Sequence, residues 1–110
     1  MSTEESFNET YKYEIYVGLK DKDDYNEYLS VEDVMTCLYE YCKGKNIAFS
    51  VVNQVGGYAH NRGYVTETSV KLVLVGASFE NVLSISEMLK KKVNTDTVMI
   101  TREKTGFMMK

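Results

Sequence analysis

The stretch "VVNQVGGYAHNRGYVTETSVKLVLVG", residues 51–76, decides the fold. Val51 and Val55 open it, and Val70, Leu72 and Leu74 close it, at the two-residue period of strands with one buried face. Between them Gly56 to Gly63 carries a glycine pair and Asn-Arg-Gly, residue types that let a chain reverse. The stretch is therefore a hairpin: one strand begins near Ile47, with Ile47 and Phe49 on the face of Val51, a loop spans 56–63, and a second strand spans Tyr64 to Val75.

Working outward, Ser30 with Asp33 three residues later has the spacing of a helix start, and Val31, Val34, Met35, Leu38, Tyr41 and Cys42 recur at helical spacing up to Gly44. Before it, Tyr11, Tyr13, Ile15, Val17 and Leu19 alternate with Lys12, Glu14, Tyr16 and Gly18 as a first strand. Downstream, Ser78 is an N-cap residue, and Phe79, Val82, Leu83, Leu89 and Val93 form an apolar stripe, with Lys90, Lys91 and Lys92 suiting the negative end of the helix dipole. A last strand is expected over about 97–101. Residues 1–10 are polar without an apolar period and read as a flexible tail, leaving one domain over 11–110.

The order strand, helix, strand, strand, helix, strand, with right-handed crossovers, predicts an α+β, ferredoxin-like βαββαβ fold: a four-stranded antiparallel sheet with two helices on one face. If Val70, Leu72 and Leu74 face the helices, Val73 and Val75 fall on the open face with Tyr16, joined by either Met99 or Val98 and Ile100. So much apolar area on an uncovered face predicts a homo-oligomer with sheets packed toward one another.

Composition excludes several classes. The 110 residues, 44% hydrophobic and 26% charged, are those of a globular domain, which at this size buries roughly two thirds of its surface. No run approaches the ~20 apolar residues of a membrane span, and the acidic start has no signal-peptide pattern, so a cytoplasmic protein without membrane contact is expected. Thirteen basic against 16 acidic residues, net −3, give no field for a nucleic acid polymer. Cys37 and Cys42 fall about 140° apart around a helix and read as reduced, structural thiols.

The hairpin loop concentrates the chemistry. Gly56 and Gly57 let amide N–H groups converge on an anion, Arg62 can grip a phosphate with two hydrogen bonds, and Tyr58 or Tyr64 can stack on a base. Lys20 and Lys22, where the first strand ends, could border a neighbouring subunit's loop and complete a phosphate site. His60 is the only histidine; an orienting carboxylate for it would come from Glu67 or a distant segment, and no nucleophile adjoins it. The acidic run Asp21 to Glu32 has the length of a calcium loop but carries Asn26 where that loop turns on Gly, so neither metal nor cofactor is expected.

The βαββαβ order, the length and the Gly56-Gly57-Tyr58 loop between the second and third strands resemble the PII-like proteins. That resemblance implies trimers with inward-facing sheets that bind nucleotides or cyclic dinucleotides between subunits, with Gly56 and Gly57 at the phosphate edge. The first functional expectation is accordingly a non-catalytic, oligomeric protein that binds a small anionic, nucleotide-like ligand for signalling or sequestration. A second is a small interaction or inhibitor protein of a phage or other mobile element that docks on a host protein, its tyrosines supplying contact area at low entropy cost. A third is an α+β barrel enzyme using His60.

Overall fold

The computed structural model describes residues 7–61 and 63–110, with Tyr58 and His60 described in backbone only. Six elements follow in order: β1 (Asn8–Gly18), α1 (Val31–Cys42), β2 (Ser50–His60), β3 (Gly63–Val75), α2 (Phe79–Val93) and β4 (Met99–Phe107). The strands form one antiparallel sheet in the order β2-β3-β1-β4, the ferredoxin-like arrangement. Of the expected tail over 1–10, residues 1–6 lie outside the described residues. β1 already begins at Asn8, which pairs with Phe107.

The helices start where the sequence places them. Ser30 Oγ accepts from the Asp33 amide while the Asp33 carboxylate accepts from the Ser30 amide, so two otherwise orphaned donors are satisfied together. Ser78 Oγ caps α2 through the Asn81 amide. α2 stops at Asn94, whose φ of 62° is left-handed and suits Asn. Its side-chain amide then donates to both Asp21 carboxylate oxygens and to Asp23, fastening the β1–α1 loop to the end of α2.

Register decides what is buried. Tyr13, Ile15 and Val17 of β1 stand opposite Leu74, Leu72 and Val70 of β3. All six pack with Leu19, Val34, Leu38, Cys42, Val82, Ile85, Leu89 and Val93 into one core under the two helices. Ser86, buried among them, donates to the Val82 carbonyl at 2.8 Å and leaves no unsatisfied hydroxyl. Cys42 is buried in this core, and desolvation pushes its thiol up, which suits a packing role. Val98 and Ile100 also pack toward the core, so Met99 is the β4 residue that joins Tyr16, Val73 and Val75 on the open face.

Two elements differ from the sequence expectation. β4 runs to Phe107 rather than ending near Thr101, because its charged residues pair along a solvated edge: Lys12 to Glu103 at 2.6 Å, and Arg102 stacked on the Tyr11 ring at 4.6 Å. Residues 56–63 are not a loop either. β2 and β3 stay paired from Gly56 opposite Glu67 to His60 opposite Gly63, and the reversal is confined to the tip, where Gly63 takes a φ of 113°. From Gly63 to Thr68 the β3 ladder runs to β2 alone, roughly 20 Å of two-stranded ribbon projecting from a body of 58 × 31 × 21 Å overall.

Leu72→Ala should lower the free energy of unfolding by about 3 kcal/mol, a cavity left between sheet and helices. Val52→Ala, on the open face, should change it by less than about 0.5 kcal/mol. Urea denaturation of both variants checks the assignment of the two faces.

Candidate active site

Where β1 ends, the sheet leaves a notch. Its ladder with β3 stops at Gly18 opposite Ser69, and the next β3 residue toward the arm that points to the same face is Glu67. The Glu67 carboxylate folds back over Gly18: a Cβ at position 18 would lie 2.1 Å from one of its oxygens, so only glycine admits it. The Lys20 amide donates to the other oxygen at 3.1 Å, and Lys20 Nζ donates to the Thr66 carbonyl at 3.0 Å. A carboxylate is thereby held by backbone at the mouth of a cleft of about 360 Å³, within the range of small-ligand sites.

The other wall comes from the β1–α1 loop and the segment after α2, with Asp21, Lys22, Tyr25, Asp96 and Thr97 lining the space. Lys22 pairs with Asp96 at 3.1 Å, which holds its ammonium above the usual lysine value. Asp21 is occupied by Asn94. The loop's acids act as turn acceptors: Asp21 takes the Asp23 amide and Asp24 takes the Asn26 amide, while the Tyr28 hydroxyl donates to Asp24 and holds its carboxyl below the usual range. Tyr25 takes a φ of 61° at the cleft rim, a backbone conformation that a bulky residue rarely adopts.

Of the residues expected to form a site, Lys20 lines this cleft, while Gly56 is the ladder partner of Glu67 and is not part of the lining. Gly57 lies one step further out, and the Tyr64 ring covers it; a Cβ there would meet that ring at 2.6 Å. Tyr64 is otherwise 75% exposed. The side chains of Tyr58 and His60, and Arg62 as a whole, lie outside the described residues. By backbone alone the ladder ends at His60 opposite Gly63, four residues from Glu67, or roughly 13 Å. Gly18 and Tyr25 belong to the cleft without having been expected in a ligand site, Asp21 enters from the acidic run, and the Glu67 carboxylate is seated on Gly18. The sequence signal for them was slight: Gly18 interrupts an otherwise bulky strand, and Glu67 is one acid in an apolar one.

The open face carries its own charge network. Lys71 pairs with Glu14 at 3.3 Å and the Tyr16 hydroxyl donates to the same carboxylate at 3.2 Å. The hydrogen bond from Lys71 is the main reason that the Glu14 carboxyl titrates below its usual range. Around this network stand Val52, Val73, Val75 and Met99, with no helix over them.

No family model matches the chain, and no curated protein matches it. Several solved chains are similar, two phage SAM lyase structures among them. One is a phage SAM lyase in complex with S-methyl-5′-thioadenosine, with a TM-score of 0.68 and 23% identity over 91% of this chain and 90% of that one. The other is a phage SAM lyase in the apo state, with a TM-score of 0.67 and 21% identity over 99% of this chain and 95% of that one. At these identities the likeness is one of fold. It nevertheless overturns the expectation of a non-catalytic binding protein, since these two chains, which share the fold along nearly their whole length, are those of an enzyme.

Gly18→Ala should displace the Glu67 carboxylate without unfolding the sheet, because the clashing atoms are the far end of a flexible side chain. The expected result is a melting temperature within a few degrees of the parent together with a large amide shift at Lys20 in a nitrogen–proton correlation spectrum. An unmoved Lys20 amide would show that Gly18 does not gate the carboxylate.

Proposed function

We propose that the chain is a lyase that cleaves SAM (S-adenosylmethionine) and releases S-methyl-5′-thioadenosine. The observation that carries this reading is the Glu67 carboxylate, seated on Gly18 and held by the Lys20 amide at the mouth of a ligand-sized cleft. The fold shared with SAM lyases supports it. A sulfonium carries a full positive charge, so the group that meets it is a carboxylate rather than the cationic cradle that an anionic ligand would require.

The chemistry asks little of the protein beyond placement and field. When the bond from sulfur to the amino-acid side chain breaks, both electrons go to sulfur, and the leaving thioether is neutral and needs no proton. A lyase adds no water, so the electron pair that replaces the bond comes from the amino-acid fragment itself. Glu67 holds the sulfonium and orients this fragment, Lys20 Nζ meets the substrate carboxylate, and Tyr25 or Tyr64 gives the adenine a face to stack on.

The active form in this reading is an oligomer, a trimer as the PII-like resemblance implies, built on the apolar open face of the sheet. The tip of the arm lies too far from Glu67 to serve its own cleft. In this reading the arm closes a neighbour's cleft through Tyr64, while Lys20 belongs to the chain's own. The protein works in the cytoplasm, where its substrate is made; no helix among the described residues is long and apolar enough to cross a membrane.

Purified protein incubated with SAM should produce S-methyl-5′-thioadenosine, detected by chromatography, and Glu67→Gln should lower kcat/KM by roughly 10²–10³. Absence of product and of any thermal shift with SAM from the parent protein would refute the lyase reading. Mixing subunits of Glu67→Gln with subunits of Tyr64→Ala, each impaired alone, should restore activity if the cleft is shared. A monomeric native mass with no restoration would place the whole site within one chain.

A further inference from the structure

The layer opposite the open face has a second feature that the cleft does not use. Between α1 and α2 runs a groove of about 530 Å³ whose floor is Tyr41, Leu83 and Met88. Leu83 stays 43% exposed, and Phe79 one turn earlier on the same stripe is likewise exposed. Two adjoining helices that leave apolar side chains open along their seam present the geometry into which a third amphipathic helix fits.

Charge selects the occupant. Lys43 pairs with Glu40, and Lys90 pairs with Glu87, the groove's single acid. Lys91 and Lys92 line the groove without an ion pair among the described residues, and Lys45 stands over the Tyr41 ring at 4.1 Å. The dipole of α2 favours positive charge in its last turn, but it does not account for an apolar floor beside that charge. In a chain of net charge −3, this groove is a cationic rim around an apolar floor. A second copy of the chain laid helix face to helix face would set these lysines against one another.

We propose that the α1–α2 groove docks an acidic amphipathic helix of a partner protein, with apolar side chains on the Leu83–Met88 floor and carboxylates against Lys91 and Lys92. No residue that lines the groove lines the Glu67 cleft, so the proposal stands independently of the lyase reading.

The probe is a synthetic amphipathic peptide of about four helical turns, leucine on one face and glutamate on the other, titrated into isotope-labelled full-length protein. Amide shifts should concentrate at Tyr41, Leu83, Met88 and Lys91, and a peptide of the same pattern with lysine for glutamate should leave them unmoved. The double variant Lys91→Glu, Lys92→Glu should bind the acidic peptide about tenfold more weakly, and Leu83→Asp should weaken it similarly while the melting temperature and any SAM turnover stay unchanged. Equal binding of the acidic and basic peptides, shifts centred on the sheet, or no shifts at peptide excess would each overturn the proposal. So would a Leu83→Asp variant whose only change is a smaller oligomer, since the groove would then be covered by a second copy.

Discussion

The pairing of β1 with β3, with Ile15 opposite Leu72, is the constraint on which the rest of the structure depends. These are the two central strands, and their register alone places Tyr13, Ile15, Val17, Val70, Leu72 and Leu74 on one face. A slip of a single residue would turn that entire set toward solvent and bring Glu14 and Lys71 under the helices, so register is specified by several side chains at once. The same pairing fixes where β1 runs out. Because the ladder ends at Gly18, Glu67 lies just beyond the last paired residue and can fold back over the strand end instead of pointing into a neighbouring side chain.

The cleft thus arises from three chain segments that the fold cannot avoid bringing together. β1 ends there, the loop after it returns there, and α2 terminates there, with Asn94 tying loop to helix through Asp21 and Asp23. Short polar connections at one end of a rigid sheet are where side chains can be committed to chemistry without disturbing the core. The neighbouring carboxylates are all engaged: Asp96 by Lys22, Asp24 by the Tyr28 hydroxyl and the Asn26 amide, Asp21 by Asn94 and the Asp23 amide, and Glu67 by the Lys20 amide.

Much of this was legible in the sequence, and the parts that were not share a physical reason. Alternation at Tyr13 to Leu19 and at Val70 to Leu74, the Ser30–Asp33 pair and the Ser78 cap report burial and hydrogen bonding between near neighbours, and they gave the fold and both helix starts. Residues 56–63 misled because glycines and Asn-Arg-Gly describe how a chain turns and say nothing of how far it runs in register before turning. β4 was cut short because an edge strand paired through Lys12–Glu103 and Tyr11–Arg102 has no apolar period to read. Glu67 was legible only as an orienting carboxylate for His60, because its seat on Gly18 is distant in sequence and no local pattern encodes the space that a missing side chain leaves open.

The two-stranded arm makes the molecule mechanically uneven. The amides of Ile15 and Leu72 lie between strands on both sides and under helices, and their hydrogen exchange waits for global unfolding. Those of residues 58–60 and 63–65 belong to a single ladder that neither helices nor β1 support, so they open locally and far more often. The paired part of the arm is therefore the part of the sheet whose order is set from outside the core. It can be rigid when something rests against it and loose when nothing does, at no cost to the stability of the rest.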